Sequence, residues 1–297
     1  MSDIQHARRL EHYPLIRSGK VRDIYDAGEH LLLVASDRLS AFDVILPTGI
    51  PGKGVILTGI SEFWFGLTRQ IIPNHLVTTD VSSLMLADED RDYMRGRTMV
   101  ARRAERIDIE CVVRGYLAGS GYKEYAASGT LAGEELPAGL QRGDRLPEPR
   151  FTPAIKNDEG HDENVSRSRL REIVGDELAS SLEDVSLGLY RFAADLAARA
   201  GIVLADTKFE FGYIDGTLTL IDELLTPDSS RYWEASEIVP GQEPPSFDKQ
   251  IVRNWLETQD WDKTPPGPEI PRDIVDRTRA RYQDVFDRLT SIPEKGR

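Results

Sequence analysis

The stretch from Ala205 to Arg231 concentrates carboxylates, one lysine and one arginine around a predicted β-hairpin. Lys208 and Glu210 alternate with two phenylalanines, and this period of two predicts a strand with charged side chains on one face and aromatic side chains on the other. Asp222 follows in the return strand. Magnesium in proteins takes one or two carboxylates together with substrate phosphates, and a nearby lysine binds phosphate as a point charge. These residue types indicate chemistry on a nucleotide, although a solvated surface hairpin has the same spacing.

The length of the turn decides whether the two carboxylates meet. A two-residue loop, Asp215-Gly216, places Glu210 opposite Ile221 and leaves Asp222 on the other face. A three-residue loop that also includes Thr217 places Glu210 opposite Asp222. We predict the three-residue loop, because only that register brings the carboxylates close enough to share a divalent cation.

Composition excludes several classes of function. The 297 residues are enough for two lobes with a sizeable buried interior. A net charge of -13 argues against a nucleic-acid partner, which requires a basic surface. Cys111 is the only cysteine, so an intramolecular disulfide is excluded and a reducing cytoplasm is indicated. The amino terminus has no apolar signal segment and no window approaches a membrane span. We expect a cytoplasmic protein with small-molecule substrates and no membrane partner; the pattern leaves protein partners open.

The periodicity of the chain predicts the elements that position these residues. The first third is predicted to be a mostly antiparallel sheet with one helix, and residues 102–107 connect the lobes, so the predicted domains are residues 1–104 and 105–297. The predicted elements in chain order are a hairpin over 18–35, a helix over 57–71, strands over 75–80, 97–101 and 109–113, a helix from 122, a surface connection over 136–151, helices over 166–174 and 176–200, the acidic hairpin, and helices over 247–256 and 274–289.

Two glycine-containing segments are candidate anion sites. Gly19 and Lys20 precede a strand, where backbone amides and an ammonium group can approach a phosphate. Arg114 and Ser120 lie in a loop with three glycines just before a predicted helix, and amides at a helix start beside an arginine bind anions. Ordinary structural turns are the alternative in both places.

Six motifs in this order resemble the SAICAR synthetase (phosphoribosylaminoimidazole-succinocarboxamide synthase) family over nearly the whole chain. The motifs are GKVRDIYD at 19–26, SDRLSAFD at 36–43, ECVVRGYLAGSGYKEY at 110–125, KNDEGHDEN at 156–164, DTKFEFG at 206–212 and IDELLTPDSSRYW at 221–233. The carboxy-terminal helical segments place the chain among the longer members of the family.

The resemblance implies a fold and an activity. The fold is α+β and two-lobed, related to ATP-grasp enzymes, with an antiparallel-sheet amino-terminal lobe, a larger α/β lobe and ATP in the cleft between them. The activity is an ATP-dependent carbon–nitrogen ligation with Mg²⁺. It joins the carboxylate of carboxyaminoimidazole ribonucleotide (CAIR) to L-aspartate through an acyl phosphate, giving SAICAR, ADP and phosphate in purine biosynthesis.

The resemblance also implies roles for individual residues. The nucleotide phosphates are expected along Gly19, Lys20 and Arg22, and Lys208 in the ATP cleft. Magnesium is expected on Glu210 and Asp222, with Asp206 in the polar network beside them. The ribonucleotide phosphate is expected on Arg114, Ser120 and Arg231. The imidazole and aspartate subsites are expected to be bordered by Asp37, Ser40, Asp43 and Asp162, and the catalytic set by Lys208, Asp206, Asp37 and Asp162.

Two other functions fit parts of the pattern. One is a small-molecule kinase or another ATP-grasp-like ligase, although the chain lacks the G-x-G-x-x-G, H-R-D and D-F-G motifs of protein kinases. The other is a catalytically silent nucleotide-binding protein, although Lys208, Glu210 and Asp222 are all present. Turnover that requires aspartate separates both from the ligase.

Overall fold

The computed structural model describes residues 6–156, 163–239, 241–247 and 249–292. Its strands are β1 Leu15–Ser18, β2 Arg22–Ala27, β3 His30–Ala35, β4 Ser40–Ala41, β5 Val44–Ile45, β6 Leu76–Thr78, β7 Thr98–Arg102, β8 Glu105–Arg106, β9 Ile109–Tyr116, β10 Thr130–Leu131, β11 Glu134–Glu135, β12 Arg145–Phe151, β13 Ala154–Ile155, β14 Glu163–Asn164, β15 Ile202–Ile214, β16 Thr217–Ile221 and β17 Ser230–Glu234. Its α-helices are α1 Lys53–Thr68, α2 Asp88–Met94, α3 Gly119–Ser128, α4 Arg167–Val174, α5 Asp176–Arg199, α6 Gln250–Leu256 and α7 Arg272–Thr290, and a 3₁₀ turn covers Ala235–Glu237.

Contacts divide the chain into two units. The first unit comprises residues 1–66, 74–104 and 247–291, and the second comprises 67–73, 105–246 and 292–297. The sequence division placed 247–291 in the second lobe. In the structure this part packs in the first unit, because the apolar side chains of α6 and α7 share one buried cluster with residues 39–50.

The first unit is built on an antiparallel sheet of five strands in the order β1-β2-β3-β7-β6. The predicted first hairpin is confirmed as β2 and β3, which pair from Arg22 with Ala35 to Ala27 with His30. The helix predicted over 57–71 both begins and ends earlier, and runs from Lys53 to Thr68. Apolar side chains that cover one face of the sheet are Leu10, Tyr25, Leu32, Val34, Val81, Met94 and Val100.

The second unit is built on an eight-stranded sheet whose longest strand is β15, with 13 residues. β9 pairs with β15 on one side, while β17 and β16 pair with successive parts of β15 on the other. Helix α5 packs against β9 and β15. The helix predicted over 166–174 is confirmed as α4, and its N-cap is Ser166, whose hydroxyl accepts a hydrogen bond from the amide of Arg169. No helix in the described part of the chain is long and apolar enough to span a membrane.

The surface connection predicted over 136–151 is wrong in its second half. Residues 145–151 form β12, which pairs antiparallel with β9. Pro147 and Pro149 gave this segment the composition of a loop, and a strand accepts proline where the ladder does not need its amide. The pairing shifts register between Arg145 and Arg150, which accommodates the two prolines.

Candidate active site

The hairpin formed by β15 and β16 has a two-residue loop. Ile214 pairs with Thr217, and Glu210 pairs with Ile221, so the predicted three-residue loop is wrong. Asp215 has a φ of 50° and Gly216 a φ of 72°. Positive φ at both loop positions is the type I′ geometry, whose twist matches that of the two strands, and this favours the short loop.

Asp222 nevertheless interacts with Glu210. Asp222 follows the last paired residue of β16 and has a φ of 66°, so the alternation of the strand no longer fixes the direction of its side chain. Burial raises the pKa of Glu210, and repulsion by the negative charge of Asp222 raises it further. The two carboxylates therefore interact electrostatically in spite of the register.

One face of the sheet in the second unit carries a row of charged side chains. In the strand register, Asp206 lies opposite Arg114 of β9 and Arg231 of β17, and Lys208 lies opposite Val112 of β9. Paired residues and alternate residues of a strand share a face. The set that we call the charged row comprises Glu110, Arg114, Asp206, Lys208, Glu210 and Arg231.

The opposite face of this sheet packs on α5. The Tyr190 hydroxyl donates to the carbonyl oxygen of Leu204 at 2.7 Å, and a Cβ at Gly115 would lie 1.8 Å from that hydroxyl oxygen. A cavity of about 390 Å³ is lined by residues of α5, β9, β12 and β15, among them Gly115, Tyr190 and Arg191. Its lining includes no member of the charged row.

Lysines and carboxylates alternate at one end of the charged row. Lys208 Nζ donates to Glu110 Oε1 at 2.5 Å, and Lys156 Nζ lies 2.5 Å from Glu210 Oε1. Burial alone would lower the pKa of Lys208, but the charges of Glu110, Glu210 and Asp222 outweigh burial and raise it. Lys208 is therefore a firmly protonated cation beside the two carboxylates.

Glu110 and Lys156 are site residues to which the sequence patterns assigned no role. Ala154 pairs with Glu110, and Lys156 follows at the end of the same short strand, β13. The available signal was the alternation of Glu110 with Val112 and Arg114 within one strand, which places Glu110 on the face of the arginine.

Two arginines converge on Asp206 at the other end of the charged row. Asp206 Oδ2 accepts from Arg114 Nη1 at 3.1 Å and from Arg231 Nη1 at 2.8 Å. Arg114 Nη2 donates to Ser120 Oγ at 3.1 Å, and its Nε donates to Thr152 Oγ1 at 3.1 Å. The structure thus brings together Arg114, Ser120 and Arg231, the three residues predicted to hold one phosphate.

Two glycines in the first turn of α3 make room for the guanidinium groups. A Cβ at Gly119, whose φ is 53°, would lie 2.5 Å from Arg231 Nη2, and a Cβ at Gly121 would lie 3.1 Å from Arg114 Cδ. Burial lowers the pKa of Arg114, whereas the charge of Asp206 opposes this effect. Arg231 Nε also lies 3.3 Å from Glu243, a residue without a predicted role.

In the first unit, a buried ion pair shapes the predicted phosphate turn. Arg38 and Asp23 are each 1% exposed and are joined by contacts of 2.7 and 3.1 Å. Arg38 also donates to the carbonyl oxygens of Gly19 at 3.1 Å and Lys20 at 3.3 Å. Gly19 N donates to Arg22 O at 2.7 Å, which closes the turn. The arginine that positions this turn was not among the predicted site residues.

The carboxylate of Asp37 accepts hydrogen bonds from other residues of the first unit. Its carboxylate accepts from the amides of Gly52 at 3.2 Å and Gly54 at 3.0 Å, at the start of α1, and from Arg97 Nη1 at 2.9 Å. These contacts hold the start of the helix. The predicted catalytic role of Asp37 stays a prediction.

The other predicted subsite residues lie on a tight hairpin or outside the described part of the chain. Ser40 is buried in β4 and pairs with Ile45. Asp43 lies in the two-residue loop between β4 and β5, and its carboxylate forms an ion pair with Lys20. Asp162 lies outside the described residues.

Known proteins resemble this chain over nearly its whole length. The family model described as SAICAR synthetase matches residues 15–268. The phosphoribosylaminoimidazole-succinocarboxamide synthase of Bordetella pertussis is 52% identical over 292 residues, which cover 97% of this chain and 99% of the relative. That of Elusimicrobium minutum is 50% identical, covering 95% of this chain and 97% of the relative. A solved SAICAR synthase from Saccharomyces cerevisiae, complexed with SAICAR, has a TM-score of 0.89 at 38% identity and covers 99% of this chain and 100% of the yeast chain.

Proposed function

The chain belongs to the SAICAR synthetase family, and we propose on that premise that its charged row catalyses the ATP-dependent joining of CAIR to L-aspartate. The observation that carries this proposal is Asp206, which holds two arginines on the sheet face that also presents Lys208 and Glu210. A cationic site for one phosphate beside a lysine and paired carboxylates matches a reaction between a phosphorylated substrate and a nucleotide.

The reaction proceeds in two transfers. An oxygen of the CAIR carboxylate attacks the γ-phosphorus of ATP, forming a C–O–P linkage and releasing ADP. The amino group of aspartate then attacks the acyl carbon, forming the C–N bond, while the C–O bond to phosphate breaks and the nitrogen loses a proton. Such a sequence depends on positioning and on stabilisation of charge on the phosphoryl oxygens.

We assign the ribonucleotide phosphate to Arg114, Arg231 and Ser120. Guanidinium groups bind phosphate through paired hydrogen bonds, and the Ser120 hydroxyl adds a further donor. Asp206 positions the two guanidiniums, because one of its oxygens accepts from both. Lys208, held by Glu110, lies further along the same face toward the carboxylates.

Glu210 and Asp222 fit the requirements of a magnesium site. Burial and, after it, repulsion by Asp222 raise the pKa of Glu210, and a divalent cation would relieve that repulsion. The described residues hold no group of three or more His, Cys, Asp or Glu side chains suited to a metal. Magnesium is commonly bound by one or two carboxylates, and water and substrate phosphates complete its coordination, so two protein ligands suffice. When bound, the ion would neutralise charge on the nucleotide phosphates. Lys156 forms an ion pair with Glu210, and Lys208 interacts electrostatically with both Glu210 and Asp222.

We assign the nucleotide phosphates to the turn of Gly19, Lys20 and Arg22, within a nucleotide lobe of residues 1–104. Buried Arg38 donates to the carbonyl oxygens of Gly19 and Lys20 and so fixes the backbone of the turn. The Lys20 side chain is half exposed and can approach an anion. Asp37, Ser40, Asp43 and Asp162 remain the proposed border of the imidazole and aspartate subsites. The relation to ATP-grasp enzymes and the cytoplasmic location stay predictions, as does the preference for small molecules over nucleic acid or membrane, which the net charge of -13 supports.

An ADP-release assay with single omissions tests the function. We expect turnover only when ATP, CAIR and L-aspartate are all present. Equal ADP release without aspartate would identify a kinase, and nucleotide binding without any turnover would identify a silent binding protein; each contradicts the ligase assignment.

Variants of two arginines test the phosphate assignment. Arg114→Ala is expected to raise the KM for CAIR, because its contact is made in the ground state as well as in the transition state. Arg169→Ala is the matched control, since Arg169 is an exposed arginine that pairs with Glu172 of the same helix at 2.8 Å. An unchanged KM for CAIR in Arg114→Ala would place the phosphate elsewhere.

A further inference from the structure

The turn that presents Asp43 has a backbone conformation that its first residue, Phe42, does not favour. Ala41 pairs with Val44, so Phe42 and Asp43 form the whole loop between β4 and β5. Their φ values are 51° and 64°. Two consecutive positive φ values define a type I′ turn, which favours glycine, asparagine and aspartate, so Asp43 suits its position whereas the bulky Phe42 is an outlier. Such conformations persist only where surrounding structure imposes them.

The segment from Trp261 to Gly267 supplies that surrounding structure. The ring of Trp261 meets the ring of Phe42 edge to face, with centroids 6.3 Å apart and planes at 64°. Lys263 Nζ lies 4.4 Å from the centroid of the Phe42 ring. The side chain of Phe42 is thus held by an aromatic ring and by a cation, both from one short segment.

The same segment is itself fixed in place. Trp261 Nε1 donates to the carbonyl oxygen of Thr264 at 2.7 Å, and Lys263 Nζ donates to Glu257 Oε1 at 3.0 Å. A Cβ at Gly267 would lie 2.5 Å from Leu46 Cδ2 and 3.6 Å from Val44 Cγ1, so the segment closely approaches β5 and the residue after it. The segment is thus closed on itself by one hydrogen bond, joined through Lys263 to the residue that follows α6, and packed through Gly267 against the β4–β5 hairpin.

We propose that residues 261–267 are a brace for the Phe42-Asp43 turn, and that Trp261 is a positioning residue that determines where the Asp43 carboxylate is presented. The consequence for chemistry follows from the ion pair of Asp43 with Lys20. That pair joins Asp43, a proposed subsite residue, to Lys20 of the proposed phosphate turn. The brace therefore rests on the proposed function, and it adds a role for the carboxy-terminal part of the chain. Trp261 acts through Phe42 and Asp43 without contact with substrate.

A kinetic comparison of variants tests the brace. Asp43→Asn first defines which substrate has its KM raised. Trp261→Ala is expected to raise the KM for that same substrate, by about 2- to 10-fold, the equilibrium factor that corresponds to one edge-to-face ring pair. Trp261→Phe, which keeps an aromatic edge, is expected to recover most of the loss. Trp255→Ala is the matched control, because Trp255 packs on the same apolar cluster of the first unit; it lowers the Tm and leaves the KM unchanged.

The double variant Asp43→Asn with Trp261→Ala separates positioning from general destabilisation. If Trp261 acts through Asp43, the second substitution adds no further rise in KM. Additive effects, a changed KM for a different substrate, or an unchanged KM in Trp261→Ala each overturn the proposal. Failure of the proposed function would be distinguished by the unsubstituted protein, which would then show no turnover that depends on aspartate.

Discussion

Asp206→Asn tests whether the two arginines on Asp206 form a phosphate site. The substitution keeps the shape of the side chain and one hydrogen-bond acceptor, but it leaves two guanidinium groups without their shared carboxylate. Removing one partner of a buried ion pair costs about 3–5 kcal/mol, and we take the lower value of about 3 because the amide oxygen still accepts. In a chain of 297 residues, about 3 kcal/mol lowers the Tm by roughly 5 °C.

The response to ligand should change in the opposite direction. A carboxylate and a phosphate on two sides of one guanidinium lie roughly 6 Å apart and repel by about 3 kcal/mol per unit charge at an effective dielectric constant of 20. Arg231 is 22% exposed, so solvent screening reduces this to about 1 kcal/mol. Arg114 keeps Ser120 and Thr152, and Arg231 keeps Glu243, so both remain oriented. SAICAR should therefore raise the Tm of Asp206→Asn by about 1–2 °C more than that of the unsubstituted protein.

The assay is thermal unfolding with and without SAICAR, and the control is Asp23→Asn. Asp23 pairs with Arg38 in an ion pair outside the proposed ribonucleotide site, and this pair is more deeply buried than those of Asp206. Asp23→Asn should lose stability in the same way and gain no additional shift with SAICAR. A SAICAR shift in Asp206→Asn equal to or smaller than that of the unsubstituted protein would refute the reasoning, because the arginines would then not face the phosphate.

Further predictions concern the carboxylate pair and the packing of the sheet. The pKa of Glu210 is raised in the folded state, so above the ordinary glutamate pKa the folded protein binds more protons than the unfolded chain. Its stability therefore falls as the pH rises through that window. Glu210→Gln should remove this slope in metal-free thermal unfolding and stabilise the protein at neutral pH. The same variant should lose the rise in Tm that Mg²⁺ gives in the presence of ATP, and an undiminished rise would move the metal away from Glu210. Gly115→Ala should lower the free energy of unfolding by about 1–3 kcal/mol in urea, because its Cβ would overlap the Tyr190 hydroxyl, and the added substitution Tyr190→Phe should recover part of that loss; the absence of any recovery would assign the loss to another contact.

Local patterns in the sequence were sufficient for the elements that carry the charged row. The alternation around Lys208 and Glu210 predicts a strand, and β15 has that alternation. The motif of Arg114 and Ser120 predicts an anion site, and in the structure the Arg114 guanidinium donates a hydrogen bond to the Ser120 hydroxyl. These features depend on neighbours in the chain and on strand periodicity, which a single sequence contains.

Pairing between distant segments was beyond the sequence patterns. The loop length of the acidic hairpin was predicted wrongly, because the three-residue loop was preferred for bringing Glu210 and Asp222 together, and the positive φ of Asp222 is not visible in the alternation of the strand. Lys156 reaches Glu210 only through the pairing of β13 with β9, which brings together strands far apart in the chain. The carboxy-terminal helices join the first unit through apolar contacts with residues 39–50, and no local pattern specifies that partner.

The location of the metal in the nucleotide complex tests the central claim most directly. Anomalous scattering from Mn²⁺ in crystals grown with ATP should show an ion coordinated by a carboxylate oxygen of Glu210 and one of Asp222. The same crystals with SAICAR should show the ribonucleotide phosphate on Arg114 and Arg231. An ion bound away from both carboxylates, in crystals where ATP is ordered, would contradict the assignment of the charged row as the catalytic face.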